Sequence, residues 1–457
     1  MAGLLLLAGC GSLPTLNPDI GLHSAHPVRL QGARGPLTYQ QSKDILARLK
    51  KGAEETNIFD RHLLVQQEID ATPLVVGNKV QLLKDGPPTY ASMFAAIAAA
   101  KDHINLETFI LEDDEMGQRL IDSLLQRQTG GIQVNVIYDS VGSLGTPKEF
   151  FKPLLDAGAN IVEYNPVNPL NAINGWELNQ RDHRKLLVVD GRTAFVGGIN
   201  ISSVYTHGSA FLGGSLSRGK TAGVPAKNAI GWRDTHLLMQ GPVVAEFQKL
   251  FMETWEQQKG ATLEGHQYFP QLSTAGSEVA RAIGTSPDDP SLMYLTLLSA
   301  INSAETRIWL TNAYFVPDQQ LLTALTEAAT RGVDVRLLLP GKTDSNLVFY
   351  ASHSFYDELL RNGVKIYERQ TALLHAKTAM IDGVWSTVGS TNLDWRSLLH
   401  NQEIDAVVLG QEFGAQMQMM FEEDLQVSNQ ITLTQWRKRP LIDRIKEFGA
   451  RLCARIL

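Results

Sequence analysis

Two stretches of this chain, "RDHRKLLVVDGRTAFVGGIN" (181–200) and "LLHAKTAMIDGVWSTVGSTN" (373–392), share one spacing of polar residues. In each, a His is followed by a Lys, an Asp-Gly pair, a Gly-Gly or Gly-Ser pair, and an Asn. Asp-Gly between two β-branched apolar runs predicts a tight hairpin. Residues i and i+2 of a strand share a face, so each His and its Lys should project together.

The surroundings of the two stretches also repeat. Residues 93–139 and 295–341 both predict a helix, a buried strand, a second helix, a Gly and another buried strand. Residues 154–166 and 359–370 both predict a helix end, a Gly C-cap and a strand. A chain of 457 residues is long enough for two such domains, each with its own core. We therefore expect an α/β fold of two similar domains, each with a mostly parallel sheet, packed about a pseudo-twofold axis with the site between them.

Composition shifts predict the domain limits. We assign 1–37 to a tether, 38–262 to the first domain, 263–288 to a linker, 289–434 to the second domain and 435–457 to a basic amphipathic helix. A Gly/Ser-rich loop at 207–229 interrupts only the first domain, either as a cover over the site or as a tolerated insertion.

The side chains of the motif suit a phosphate ester. Lys neutralises phosphate oxygens, Asn donates hydrogen bonds, and His can attack phosphorus or transfer a proton. One motif supplies half a site, and two facing motifs place a His on each side of a phosphodiester. We assign catalysis to the two His-Lys pairs and phosphate binding to three further side chains: His183, Lys185, His375, Lys377; Asn200, Ser390, Asn392. Lys and Asn can balance the developing charge, so we expect neither a metal nor a cofactor.

Four carboxylates need separate interpretations. Asp190 and Asp382 precede Gly at a strand end, where Asp is first of all a turn residue, so we expect both to be structural. Asp234 and Glu403 follow the two motifs and could fix the tautomer of a neighbouring His; the alternative is an ordinary surface carboxylate.

The paired motifs resemble the HKD signature of the phospholipase D superfamily, and both fit it without a gap. The resemblance covers about residues 75–425. Within the superfamily, "LETFIL" (106–111), "NAYFVP" (312–317), "LLHAK" (373–377) and "GSTNLDWRS" (389–397) are most similar to bacterial cardiolipin synthases. The resemblance implies two packed α/β domains and a phosphohistidine intermediate, with His183 as nucleophile, and it assigns Asp234 and Glu403 as histidine partners.

By this resemblance we expect a phosphatidyltransferase that uses phosphatidylglycerol, EC class 2.7.8. The same site would act as a phospholipid hydrolase if water took the phosphatidyl group. A nucleic-acid phosphodiesterase is a further alternative, but the net charge of -7 argues against a nucleic-acid partner. A catalytically inert lipid-binding module is the remaining alternative. Two complete motifs in one chain predict a monomer.

Both ends of the chain predict a membrane-surface location. The stretch "LLLLAGC" resembles a lipobox, which would make Cys10 a lipidation site on the periplasmic or outer side of a bacterial cell membrane; an incidental thiol is the alternative. It departs from a normal signal because no Lys or Arg precedes its short apolar run. At 435–457, apolar residues at helical spacing accompany a local basic surplus, which favours an amphipathic helix on anionic lipid or, alternatively, a helix docked on the protein core.

Overall fold

The structure of the protein is a computed structural model that describes residues 12–16, 28–50, 58–69, 72–171, 176–209, 231–287 and 291–457. Cys10 and nearly all of the 207–229 loop lie outside these residues, so the predictions made for them stay predictions. The first strands of the described residues are two short paired ones, Gln31–Gly32 and Gly35–Pro36, followed by helices Tyr39–Lys50 and Ile58–Ile69.

The first half alternates strands and helices as the repeat predicts. Its strands are Val75–Lys84, His103–Thr108, Gln133–Asp139, Asn160–Tyr164, Arg181–Asp182, Lys185–Val189, Thr193–Gly197, Trp232–Arg233 and Thr235–Gln240. Its α-helices are Gly86–Ala99, Glu115–Thr129, Lys152–Asp156 and Val244–Gln257.

The second half has the same order of principal elements. Its strands are Glu278–Thr285, Arg307–Asn312, Asp334–Pro340, Lys365–Arg369, Leu373–Leu374, Lys377–Ile381, Trp385–Gly389, Asn401–Leu409 and Ser428–Ile431. Its α-helices are Leu292–Ser303, Gln319–Thr330, Asn346–His353, Tyr356–Arg361, Trp395–Leu399, Gln411–Gln426, Leu433–Arg437 and Leu441–Leu452. Even a helix cap recurs, because the Asp114 and Asp318 carboxylates each accept backbone N–H groups from the following turn.

The two-domain α/β fold is confirmed, but the expectation of mostly parallel sheets is wrong. Each half has three parallel strands, with His103–Thr108 beside Gln133–Asp139 and Arg307–Asn312 beside Asp334–Pro340. The motif strands pair antiparallel with these and with each other. The reason is local: the Asp-Gly turn reverses the chain after four or five residues, and a hairpin can only pair antiparallel.

A central strand lies where the sequence suggested a linker. Glu278–Thr285, inside the predicted 263–288 linker, pairs with Asn401–Leu409 on one side and with the start of Val75–Lys84 on the other. Its small residues, Ala280, Ala282 and Gly284, conceal the apolar alternation that usually identifies a strand. Strands of both halves thus form one continuous sheet.

The halves also exchange short strands around the motifs. Arg181–Asp182 pairs in parallel with Asn401–Gln402, and Trp232–Arg233 pairs in parallel with Leu373–Leu374. Arg181–Asp182 is followed by His183, and Leu373–Leu374 is followed by His375. The backbone N–H of each His donates to the other half: His183 to Gln402 O at 2.9 Å and His375 to Arg233 O at 2.8 Å. Each histidine is therefore positioned by the opposite half of the molecule.

Candidate active site

The Asp of each motif fixes the hairpin that carries the His and Lys. Asp190 and Asp382 adopt left-handed backbone angles, with φ of 54° and 51°. The Asp190 carboxylate accepts the N–H groups of residues 101, 102 and 103 at 2.8–3.1 Å, and Asp382 accepts those of residues 305, 306 and 307 at 2.8–3.0 Å. Both carboxylates therefore tie the hairpin turn to the start of the neighbouring strand and lie in structural positions.

His183 is held by an acid from the second half. Its Nδ1 lies 2.9 Å and 3.0 Å from the two oxygens of Glu403, whose side chain is fully buried. Glu403 also accepts hydrogen bonds from the Ser390 hydroxyl at 2.5 Å and from Asn401 Nδ2 at 3.2 Å. Burial raises the pKa of Glu403 to about 7, although the Lys185 charge and these hydrogen bonds oppose the rise.

His375 is held by an acid from the first half. Its Nδ1 lies 2.7 Å from Asp234 Oδ2 and 3.3 Å from the Tyr205 hydroxyl. Burial acts to raise the pKa of Asp234, but the charge and hydrogen bond of His375 and the charge of Lys377 outweigh burial, so the pKa lies below its usual value. Asp234 is thus the more strongly ionised of the two acids.

The two acids are crossed between the halves. Asp234 follows the first motif in sequence but contacts the histidine of the second, and Glu403 does the reverse. Neither is a surface carboxylate, because both are fully buried. With the Nδ1 proton assigned to the carboxylate bond, Nε2 is the nitrogen of each ring that carries a lone pair.

The two lysines are buried next to the histidines. Lys185 Nζ donates to the His183 carbonyl at 2.5 Å and lies 5.1 Å from the centre of the Phe109 ring. Lys377 Nζ lies 3.0 Å from His375 Nδ1 and 3.1 Å from Nε2, and it also donates to the His375 carbonyl. Burial lowers the pKa of Lys185 to about 7 and that of Lys377 to about 8. An anion between them would favour their charged forms.

Both histidine pKa values lie below the usual value. For His183, burial is the largest cause, followed by the charges of Lys185, Lys377 and His375, and the pKa falls far. For His375, burial and Lys377 lower the pKa, while the charge and hydrogen bond of Asp234 partly restore it. His183 is therefore strongly biased toward neutral imidazole, and His375 accepts a proton more readily.

The three predicted phosphate-binding residues have different surroundings. Asn200 Nδ2 donates to the Tyr205 hydroxyl at 3.1 Å, and Asn392 Nδ2 donates to Ser397 at 3.3 Å. The buried Asn392 Oδ1 has no hydrogen-bond partner among the described residues. Ser390 requires a correction: its hydroxyl donates to Glu403 and accepts the Ile404 N–H at 2.9 Å, so it positions the acid and is not free for a phosphate.

Sequence reasoning missed the aromatic walls of the site. Phe109 meets His183 edge-on, with ring centres 4.9 Å apart, and Trp232 lies 5.4 Å from the His375 ring. Tyr205 contacts both Trp232 and His375. The only sequence signal for Trp232 and Tyr205 is that they flank the inserted loop, between the first motif and Asp234.

A cavity of about 540 Å³ opens beside Trp232. It lies between helices Gly86–Ala99 and Glu115–Thr129 and the turn at 203–207, and its lining includes Tyr90, Met116, Arg119 and Trp232. Since Trp232 also contacts His375, the cavity adjoins the histidine pair, and its mixed apolar and polar lining suits an amphipathic ligand.

Among the described residues, no three His, Cys, Asp or Glu side chains are grouped so that they could hold a metal ion. The helices of the same residues include none that is both long and apolar enough to span a bilayer.

Comparison with known proteins identifies the class to which this fold and site belong. The family described as "Cardiolipin synthase, PLD-like domain" matches twice, over residues 93–208 and 297–425, so one match covers each half and each motif. These matches define a two-repeat phospholipase D-like protein.

Curated relatives narrow the class. A cardiolipin synthase of Alkalihalophilus pseudofirmus is 34% identical over 393 residues, covering 85% of this chain and 74% of the relative. A cardiolipin synthase 2 of Bacillus anthracis is 32% identical over 425 residues, covering 92% of this chain and 78% of the relative. The chain belongs to the cardiolipin synthase family of phospholipase D-like proteins.

Solved structures support the fold independently. A phosphatidylserine synthase from Haemophilus influenzae matches with a TM-score of 0.61 at 13% identity, covering 86% of this chain and 99% of that one. At this identity the likeness concerns the two-domain architecture alone.

Proposed function

We propose that the protein is a phosphatidyltransferase that makes cardiolipin from two molecules of phosphatidylglycerol. The observation that carries the proposal is the crossed pair of buried His-acid contacts, His183 with Glu403 and His375 with Asp234, beside two buried lysines. Two imidazoles with unprotonated Nε2 atoms and two lysine side chains suit in-line transfer at a phosphodiester. The family membership and the cardiolipin synthase relatives supply the substrate class.

The first step forms a covalent phosphohistidine. His183 Nε2 attacks the phosphorus of phosphatidylglycerol, and the bond from phosphorus to the glycerol oxygen breaks. The departing glycerol oxygen takes a proton from the His375 imidazolium and leaves as glycerol. Asp234 supports that cation, whereas the high pKa of Glu403 gives a cationic His183 less support. This asymmetry favours His183 as nucleophile and His375 as acid.

The second step transfers the phosphatidyl group. A glycerol hydroxyl of another phosphatidylglycerol loses its proton to His375, and its oxygen attacks phosphorus. The bond from phosphorus to His183 then breaks, which yields cardiolipin and restores both histidines. Lys185, Lys377, Asn200 and Asn392 would balance the charge on the phosphate oxygens throughout.

The proposed setting is the surface of a bacterial membrane. On the Leu441–Leu452 helix, Leu441, Ile445, Phe448 and Leu452 are 66–74% exposed, while Ala450 is buried. The apolar stripe therefore faces outward, which argues against the alternative in which this stripe docks on the core.

A lipid on Cys10 would add a second anchor and place the protein on the periplasmic or outer side; that part of the proposal rests on the lipobox resemblance alone. Because one chain carries both motifs, we propose a monomer.

A product assay tests the activity. Purified protein is given phosphatidylglycerol vesicles or, separately, single-stranded DNA, and the products are separated. Cardiolipin with an equal amount of glycerol is expected. Phosphatidic acid without cardiolipin would overturn the transferase in favour of a hydrolase, and DNA fragments without lipid turnover would favour a nuclease.

A further inference from the structure

A second charged cavity lies at the C-terminal end of the described chain, and it shares no residue with the catalytic site. It encloses about 530 Å³ between the helices Tyr356–Arg361, Leu433–Arg437 and Leu441–Leu452. We call it the basic pocket, and its charged lining consists of Asp357, Arg361, Arg437, Arg439, Arg444, Glu447 and Arg451. Five arginines face two carboxylates, so the pocket carries a surplus of positive charge within an acidic protein.

The carboxylates engage only some of the arginines. Arg361 and Arg437 lie 2.6 Å and 3.7 Å from Asp357, and Arg439 lies 2.6 Å from the buried Glu447. Among the described residues, no carboxylate forms an ion pair with Arg444 or Arg451. The contacts of these two are neutral: Arg444 donates to the Arg437 carbonyl, and Arg451 donates to the Ser354 carbonyl at 3.2 Å. Their charges are available to an anion.

The rim of the basic pocket is apolar. Phe448 lines the pocket and is 68% exposed, and the outward stripe of Leu441, Ile445 and Leu452 continues from it at helical spacing. The buried residues of this helix are Ala450 and Glu447, which accepts hydrogen bonds from Arg439; the exposed Lys446 Nζ donates to the Tyr350 hydroxyl at 3.0 Å. An exposed apolar stripe beside exposed basic side chains suits the interface of an anionic membrane.

The same segment contacts a helix of the catalytic site. Past the Leu441–Leu452 helix, the Leu457 carbonyl accepts the Arg396 N–H at 2.7 Å, and Arg455 lies over the Trp395 ring. Trp395 and Arg396 begin the short helix that also carries Ser397, the hydrogen-bond partner of Asn392. A lipid bound at the C-terminal segment would thus be held at a fixed distance from the phosphate-binding residues.

We propose that the basic pocket binds the phosphate of an anionic phospholipid in a bilayer, while the Leu441, Ile445, Phe448 and Leu452 side chains enter the acyl region. Charge complementarity selects the occupant: arginines without carboxylate partners suit a lipid phosphate, and the adjoining apolar stripe suits its chains. This lipid is a docking ligand and not a substrate, so the proposal stands independently of the catalytic activity.

Vesicle flotation tests the proposal with the full chain. Wild-type protein is expected to float with phosphatidylcholine vesicles that contain phosphatidylglycerol and to bind pure phosphatidylcholine vesicles weakly. In the double variant Arg444→Gln/Arg451→Gln, affinity for the anionic vesicles should fall roughly thirtyfold, from about 1 kcal/mol for each cation at the surface. In Ile445→Ser/Phe448→Ser, affinity for both vesicle types should fall.

The matched control is Arg48→Gln/Arg331→Gln, which removes two exposed positive charges elsewhere and should leave flotation within twofold of wild type. Thermal unfolding of each variant checks that it is folded. The proposal is wrong if the Arg444/Arg451 variant floats like this control. It is also wrong if inorganic phosphate raises the melting temperature of wild type as much as anionic vesicles do, since the pocket would then be a site for a free anion.

Discussion

The two histidines occupy equivalent positions in a repeated framework, yet their surroundings differ. His183 contacts Glu403, which is also held by Ser390, whereas His375 contacts Asp234 and Tyr205. Gly198 occupies the place of Ser390 in the first motif, and a Cβ there would lie 2.2 Å from an Asp234 oxygen. Asp234 thus packs directly against Gly198, which has no side chain, whereas Glu403 leaves room for the side chain of Ser390. A duplicated motif can therefore be tuned into a nucleophile and an acid by changing the residues around it.

The largest effect should come from removing either histidine. His183→Ala and His375→Ala should each lower cardiolipin formation at least about a thousandfold, because each deletes a group that transfers a phosphoryl group or a proton. Steady-state turnover on phosphatidylglycerol vesicles measures the loss. His266→Ala, outside the site, serves as the control and should retain near-normal turnover. Near-normal turnover in either motif variant would contradict the two-histidine mechanism.

Exchanging the Gly and Ser between the motifs should show how much each residue contributes to holding the acid beside it. Gly198→Ser must displace Asp234 from His375, because the added Cβ overlaps its carboxylate, and we expect about a hundredfold loss of turnover. Ser390→Gly removes one hydrogen bond to Glu403 and should cost about tenfold. Equal losses of turnover in Gly198→Ser and Ser390→Gly would contradict the proposed difference between the surroundings of the two histidines.

Neutralising the acids should separate their roles. Asp234→Asn removes an ionised group that supports the protonated His375, so turnover should fall by about a hundredfold or more. Glu403→Gln should cost less, because burial already holds a large fraction of Glu403 protonated near neutral pH. Turnover of the two variants at pH 7 distinguishes them, and a larger loss for Glu403→Gln would contradict the assignment of roles.

The smallest effect concerns stability. The pKa of Glu403 is about 7 in the folded protein and near 4.5 in the unfolded chain. The folded state therefore binds the extra proton between these values, and its stability falls as pH rises through them. Glu403→Gln should be more stable than wild type at pH 8 by roughly 1–3 kcal/mol, and this gain should shrink toward pH 5. Denaturant unfolding at both pH values measures it, and a variant less stable at pH 8 than at pH 5 relative to wild type would refute the raised pKa.

Local sequence signals predicted the hairpins and the C-terminal amphipathic helix, since each depends on the spacing of nearby residues. The repeat was predicted because 93–139 and 295–341 follow the same order of elements. The contact of Asp234 with His375 could not be predicted from local spacing, because it depends on which short strands of one half pair with strands of the other half. The central strand Glu278–Thr285 was missed because its alternate residues are Ala and Gly, and its pairing with strands of both halves is a long-range feature. Ser390 was misassigned because it stands close to Asn392 in the motif, and the sequence does not show that its hydroxyl faces Glu403.

Trapping the covalent intermediate tests directly whether His183 is the nucleophile. His375→Ala protein is incubated with phosphatidylglycerol for a long period, because loss of the acid slows formation of the adduct as well as its transfer; it is then quenched and digested, and the peptides are analysed by mass spectrometry. The phosphatidyl adduct should appear on His183 and be absent from His183→Ala protein. An adduct on His375 in the His183→Ala protein, with none on His183 in the His375→Ala protein, would contradict the assignment of His183 as nucleophile.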